Sequence, residues 1–405
     1  MNIVFFSHPD FQIHQSMPRY TKMLANGMLE RGHTVKICKP KARFNLLPVG
    51  SLLKKWLGYI DQYLIFPLEI RLLLMKCDAN TLFVFTDHAL GPWVPLLKNR
   101  PHIIHCHDFL AQQSAFGKHD ENVLSITGRE YQKFIKRGYS AGKNFISVSR
   151  ETKKQLHEML GFKPKLSEVV YNGVNPIFQP MDITTARKLF WKETNIDIIN
   201  GFILHVGGNQ WYKNRKGIIE IYNCWRLSTN EVIPLVLIGE LPSEDVYKLY
   251  SKSRFKNEIH FLNNINDEVL KVSYAAATLL LFPSLAEGFG WPIAEAMACG
   301  CPVITTNEAP MTEVAGNEGF FMAKKPSDEL AQEQWSSNVN QTINYLVSLT
   351  DEERSVAAKR GINHVKQFES TMILHRIEAI YEQTLKQYFD SNDTETSTYQ
   401  QSIAS

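Results

Sequence analysis

Long apolar runs are missing from this chain. Nowhere do eighteen or more uninterrupted apolar residues occur, so a membrane-spanning helix is not expected. A secretory leader is not expected either, because Met1 runs straight into Asn2-Ile-Val-Phe-Phe6 with no basic segment or small-residue cleavage site. Cysteine is scarce. Six thiols (Cys38, Cys77, Cys106, Cys224, Cys299 and Cys301) are too few and too scattered over 405 residues for a disulfide framework, and they suit a reducing, cytoplasmic setting. Cys299 and Cys301 form the one close pair, with no second pair or histidine cluster to make it a metal site. No Asp-x-Asp motif occurs, so a metal-bridged diphosphate is not expected and no metal ligand is assigned.

What is present is an ordinary globular composition, 44% hydrophobic and 21% charged, long enough for two or three domains. Short β-branched and aromatic runs alternate with longer helical patterns, which is the mark of βαβ units and an α/β fold. Strands are expected near Ile3–Phe6, Thr34–Cys38, Leu82–Phe85, Ile103–Cys106 and Phe145–Val148, and in a second series at Ile203–Val206, Leu235–Ile238, Ile259–Leu262, Leu279–Phe282 and Val303–Thr305. Between the two series lies Tyr171-Asn-Gly-Val-Asn-Pro-Ile-Phe-Gln-Pro180, rich in turn formers. We therefore expect two doubly wound domains facing a central crevice, 1–178 and 179–368. A helix over 369–389 is expected to return to the first domain, and 390–405 reads as a polar, disordered tail.

One stretch raises a chemical question. Leu285-Ala-Glu-Gly-Phe-Gly-Trp-Pro-Ile-Ala-Glu295 sets two carboxylates eight positions apart around a Gly-Phe-Gly turn, just after a buried strand. Pro292 to Cys299 reads as a helix closed by Gly300. Glu287 then sits in the loop and Glu295 in the helix's opening turn, while Gly288 and Gly290 allow a ligand close to the backbone. Glu295 complementing its own helix dipole is the plainer alternative. Gly288-x-Gly290 with Glu308 half resembles a dinucleotide fingerprint, but Ile293 stands where the third glycine belongs.

The run Phe282 to Val303, followed by Pro310-Met-Thr-Glu-Val-Ala-Gly316, resembles the donor-binding region of retaining glycosyltransferases of family 4, whose E-x7-E motif matches Glu287 and Glu295. His205-Val-Gly-Gly-Asn-Gln-Trp-Tyr-Lys-Asn-Arg-Lys-Gly217 resembles the family's strand, glycine turn and basic segment, and Ser149 with Tyr171-Asn-Gly-Val174 its "VS…NGV" stretch. The resemblance implies the GT-B fold and a nucleoside-diphosphate sugar as co-substrate, with no cofactor. It implies that Glu295 holds the ribose, that Glu287 contacts the donor sugar, and that Gly288, Phe289, Gly290, Gly207 and Gly208 line the donor site. Lys213, Arg215 and Lys216 are the diphosphate cations; Lys213 or Lys216 can take the family's lysine position, and Lys213 is favoured with Arg215 beside it. Ile103-Ile-His-Cys-His-Asp108 resembles the family's strand ending in His-Asp, which points to His107 as a catalytic residue. Ser16 and Arg19 open a helix where the family has a glycine-rich turn, and are donor-site candidates; Ser16 equally suits an N-cap.

From Lys36 to Lys76 eight basic residues stand against two acidic ones, although the whole chain carries a net charge of only +3. Leu52-Leu-Lys-Lys-Trp-Leu57 within it mixes cations with Trp and Leu, as segments at an anionic membrane surface do, though helices packed on the first sheet explain it as well. The expectation is a cytoplasmic retaining hexosyltransferase acting on a glycan or lipid-linked acceptor, with no nucleic-acid partner. A dinucleotide-dependent oxidoreductase and a non-catalytic sugar-nucleotide binder are the alternatives.

Overall fold

The structure is a computed structural model that describes residues 1–12, 16–119 and 121–404. It divides into two compact units, Met1–Tyr171 with Ile373–Ser405, and Asn172–Met372. Each is built on a six-stranded, all-parallel sheet. In the first, β1 (Asn2–Phe6), β2 (Thr34–Cys38), β3 (Thr81–Phe85), β4 (His102–Cys106), β5 (Asn144–Ser147) and β6 (Leu166–Val169) lie in the order β2-β1-β3-β4-β5-β6. In the second, β7 (Ile203–Val206), β8 (Leu235–Ile238), β9 (Ile259–Leu262), β10 (Leu279–Phe282), β11 (Val303–Thr306) and β12 (Phe320–Met322) run β12-β11-β10-β7-β8-β9. Central strands covered on both faces must be apolar along their whole length. Leu-Leu-Leu-Phe in β10 and Thr-Leu-Phe-Val-Phe in β3 are accordingly buried at every position.

Strand order reverses between β1 and β3 in one sheet and between β7 and β10 in the other. At such a reversal the connections leave in opposite directions and open a space beyond the carboxyl ends of the two strands. The residues following β1, β3, β7 and β10 are therefore the candidates for ligand binding.

Strands β6 and β12 were not anticipated. Both are sheet edges, short and half exposed, so they lack the continuous apolar run that marks a central strand. The turn-rich stretch after Tyr171 belongs to the second unit, earlier than the 178–179 boundary drawn from the sequence. The Val174 amide donates to the Phe368 carbonyl at 2.9 Å, and the Phe178 ring meets Tyr274 edge-on at 5.7 Å.

The last helix, Ser370–Ala404, joins the first unit from Ile373 onward. Its Leu374 lies over Gly27, where a Cβ would come within 2.5 Å of it, and its Glu378 accepts from His33 at 2.6 Å. The helix continues through the stretch expected to be a disordered tail. Extending an existing helix needs no new nucleus and satisfies each added backbone group internally.

A mutual close approach fixes the segment that follows β3. Helix Ile126–Tyr139 crosses the 3₁₀ segment His88–Leu97 at Gly138 and Gly91, and a Cβ on Gly138 would stand 2.3 Å from the Gly91 carbonyl carbon. Backbone cannot yield as a side-chain tip does. Gly138→Ala should therefore cost about 3 kcal/mol, with a fall in Tm of several degrees. Gly161→Ala, in a left-handed turn with open space around it, should cost about 1 kcal/mol. Equal Tm values for the two variants would contradict this packing account.

Candidate active site

In the second unit the reversal between β7 and β10 brings two sequence-predicted residues together. Lys213 ends a short 3₁₀ turn after β7, and Glu287 sits in the loop after β10. The Lys213 ammonium donates to Glu287 Oε1 at 2.7 Å, with the side chains only 15% and 7% exposed. The ammonium also lies 5.2 Å from the centre of the Phe282 ring and 5.5 Å from that of Tyr212, faces that attract a cation.

Asn214 then turns the chain into the helix Arg215–Ser228. It adopts a left-handed conformation (φ 52°), its Oδ1 accepts from the Gly217 amide, and its Nδ2 donates to the Pro283 carbonyl. The cap thus binds the helix start to the loop that follows β10. This helix points its N-terminus, and the partial positive charge there, beside Lys213. Gly207 and Gly208 form the turn after β7. Gly239 packs so closely on it that a Cβ would stand 2.2 Å from the Gly207 carbonyl oxygen.

Arg215 does something different from what its spacing suggested. It is only 3% exposed, and its Nη1 donates to Asn209 Oδ1 at 2.6 Å and to the Glu240 carbonyl at 2.8 Å. Burial lowers its pKa, and its Nε and Nη2 are buried with no hydrogen-bond partner. As placed, it ties together the turns after β7 and β8. Lys216 lies exposed on the helix surface.

Downstream, Gly290 takes φ 96° and caps the helix Trp291–Ala298. Phe289 is buried edge-on against Phe368 at 5.4 Å, so the Gly288-Phe289-Gly290 backbone is anchored through its one large side chain. Glu295 lies one turn into the helix, not in its opening turn. It accepts from the hydroxyl of Tyr274, at the end of helix Asp267–Ala276, at 2.9 Å.

The first unit has a parallel arrangement. His8, after β1, donates from Nε2 to Asp87, after β3, at 2.8 Å, and His88 Nδ1 lies 3.0 Å from the other carboxylate oxygen. The imidazoles hold Asp87 well below the usual carboxylate range despite the opposing effect of burial. His107, beyond β4, is 6% exposed and donates from Nε2 to the Thr86 carbonyl at 2.9 Å. That bond fixes the tautomer and leaves Nδ1 with a lone pair. Burial lowers its pKa, so it is neutral at pH 7. Ser16 and Arg19 are exposed on the first turn of helix Ser16–Glu30, with Ser16 itself the first helical residue rather than a cap before it. Among the described residues no group of three or more His, Cys, Asp or Glu side chains could hold a metal ion, and no helix is long and apolar enough to cross a membrane.

Two family models match this chain, each almost wholly inside one unit. Glycosyltransferase Family 4 covers residues 17–178, and Glycosyl transferases group 1 covers 190–339. The chain belongs to the family 4 glycosyltransferases. It is 33% identical over 171 residues to O-antigen chain mannosyltransferase B of Escherichia coli, a match spanning 42% of either protein. It is 26% identical over 293 residues, 72% of each, to O-antigen chain mannosyltransferase RfbU of Salmonella typhimurium. Anabaena Alr3699/HepE, solved with UDP and glucose, superimposes with a TM-score of 0.70 over 95% of this chain and all of that one at 17% identity. That likeness, with the two parallel sheets, makes the glycosyltransferase a GT-B fold. The oxidoreductase alternative finds no support.

Beside the residues expected from the sequence, the structure sets His8, Asp87 and His88 in the first unit, and Asn214, Glu240 and Tyr274 in the second, as further candidates. Thr86-Asp87-His88 directly after a buried strand was a readable signal. The pairing of His8 with a residue 79 positions away was not.

Two histidines at the carboxyl ends of central strands are wholly buried. His205 donates from Nδ1 to the Leu281 carbonyl, and His105 bonds the Tyr20 and Tyr381 hydroxyls. Burial pulls both pKa values down to about 3. Between about pH 3 and the ordinary value near 6.5, the unfolded chain binds protons that the folded chain refuses. Stability therefore rises with pH across this window and is lost as pH falls through it. Urea unfolding from pH 7 to pH 4 should show that slope, and His205→Leu should flatten it; an unaltered slope would mean that His205 is not held neutral.

Proposed function

We propose that this protein transfers a hexosyl group, with mannose favoured, from a UDP- or GDP-linked donor to a hydroxyl of a glycan or lipid-linked acceptor in cell-surface polysaccharide synthesis. The observation that carries this reading is the convergence, at the β7–β10 reversal, of a lysine, a helix N-terminus and a carboxylate, with a second carboxylate eight residues on. A nucleotide sugar presents hydroxyls at both ends and two phosphates between them. Glu295, steadied by Tyr274, suits the ribose hydroxyls, and Glu287 the sugar hydroxyls. Lys213 and the amides at the start of helix Arg215–Ser228 suit the diphosphate, with Lys216 at its margin. The names of two relatives support the mannosyl group, and the UDP and glucose in the Anabaena structure support the donor class.

In this reading the anomeric configuration is retained and no metal is needed, since fixed cations and helix amides stabilise the departing diphosphate. The diphosphate oxygen takes the proton of the attacking hydroxyl on the same face. His107, neutral and fixed by Thr86, offers Nδ1 as an acceptor to a hydroxyl.

We place the acceptor at an anionic membrane surface, on the cytoplasmic side. Leu53, Trp56, Leu64, Leu68, Leu72 and Met75 are all more than half exposed along the helical stretch from Ser51 to Leu74 and just beyond it. Lys54, Lys55, Arg71 and Lys76 fringe this stripe, also exposed. The two acidic side chains of the region are already engaged: Asp61 is buried, accepting the Arg43, Phe44 and Asn45 amides, and Glu69 pairs with Arg43. A cationic rim around an apolar ridge fits lipid headgroups over acyl chains.

UDP or GDP should raise the Tm where NAD does not, and adding acceptor should release nucleoside diphosphate equally in EDTA and in magnesium. Glu295→Ala should weaken binding of that nucleotide by about 1–3 kcal/mol, measured by calorimetry. Wild-type affinity in this variant would remove Glu295 from the ribose. The protein should also sediment with anionic vesicles and be released by salt, and replacing Lys54, Lys55 and Arg71 together by Gln should lower the partition about a hundredfold, at ~1 kcal/mol per cation. Equal binding to neutral vesicles would contradict the electrostatic part.

A further inference from the structure

The same two residues that serve the donor also serve each other. Resting on the donor reading above, we propose that Lys213 and Glu287 form a self-occluding pair in the empty enzyme, which the donor's diphosphate opens by taking the Lys213 ammonium from Glu287. The ammonium sits 2.7 Å from the carboxylate, and both groups are largely withdrawn from water. A carboxylate so placed cannot be left unpaired cheaply, nor can the lysine, because each would then be a buried charge without compensation. The exchange therefore needs a replacement at both ends. Phosphate oxygens supply the lysine's new partner, and the hydroxyls of the sugar, which donate hydrogen bonds, supply the carboxylate's.

Both replacements come only from a complete nucleotide sugar. A free nucleoside diphosphate brings one of them, so it must break the pair without restoring a partner to Glu287. The pair thereby weakens binding of the spent nucleotide relative to the intact donor, which favours release of product. Mobility of the lysine is consistent with its surroundings: its partners besides Glu287 are ring faces rather than further hydrogen-bond acceptors. Arg215, locked to Asn209 and the Glu240 carbonyl, has no such freedom.

The consequence runs against the ordinary expectation for removing a site residue. Glu287→Gln should bind UDP or GDP about tenfold more tightly than the wild type, as withdrawing one like charge from a half-buried anion site does, while transfer falls at least tenfold. Calorimetry on the full chain reads the first and nucleotide release the second. Unchanged or weaker nucleotide binding in Glu287→Gln overturns the pair while leaving the donor reading intact. Failure of the wild type to bind either nucleotide overturns the donor reading, and the pair with it. A measurement on the wild type avoids any folding defect of the variant. With glutamate side chains carrying ¹³C, two carboxyl resonances should move when the nucleoside diphosphate is added, that of Glu295 on meeting the ribose and that of Glu287 on losing Lys213; a spectrum in which only one moves overturns the pair, and one in which none moves overturns the donor reading with it.

Discussion

Where two parallel strands sit side by side but their connections depart in opposite directions, no helix covers the gap beyond their ends. Everything chemical in this protein is arranged around that constraint, once in each sheet. After β7 and β10 the gap holds Lys213 against Glu287; after β1 and β3 it holds His8 against Asp87. Each pair joins the end of its sheet's first strand to the strand on the far side of the reversal. Charge is concentrated there because those strands themselves carry no Asp, Glu, Lys or Arg.

The surrounding electrostatics follow from how little water reaches these gaps. A charge in such a place persists only with a partner, which is why Asp87 stays ionised between two imidazoles while His105 and His205, with no carboxylate beside them, are held neutral. Glycines set how closely the turns approach. Gly239 allows the turn after β8 to touch the one after β7, and Arg215 then clasps the two through Asn209 and Glu240. Turns outside the sheet are in this way braced like a core.

Much of this was legible in advance because it is local. Ten of the twelve strands announce themselves as short β-branched and aromatic runs, and the Glu287–Glu295 spacing with its Gly-Phe-Gly turn is a contiguous pattern. What escaped notice depended on contacts across long stretches of chain. Nothing in Trp211 to Gly217 says that Lys213 meets Glu287 whereas Arg215, two positions later, turns into the protein. The helix start between them decides it, and that start depends on Asn214 accepting a left-handed turn. The Tyr274 hydroxyl on Glu295, 21 positions away, is likewise a contact that only the fold brings out. The edge strands β6 and β12 were lost for the opposite reason, having too little burial to leave a pattern.

The return of the final helix to the first unit has a temporal meaning. Residues from Ile373 onward supply Leu374 over Gly27, Glu378 to His33 and Tyr381 to His105. The first unit therefore lacks part of its interior until the residues from Ile373 onward have been made. Asn172–Met372, by contrast, is a single uninterrupted segment. On a ribosome delivering the chain from its amino end, Asn172–Met372 has all its contacts in hand before the unit that precedes it, and that unit's sheet waits, half-furnished, for the residues from Ile373 onward.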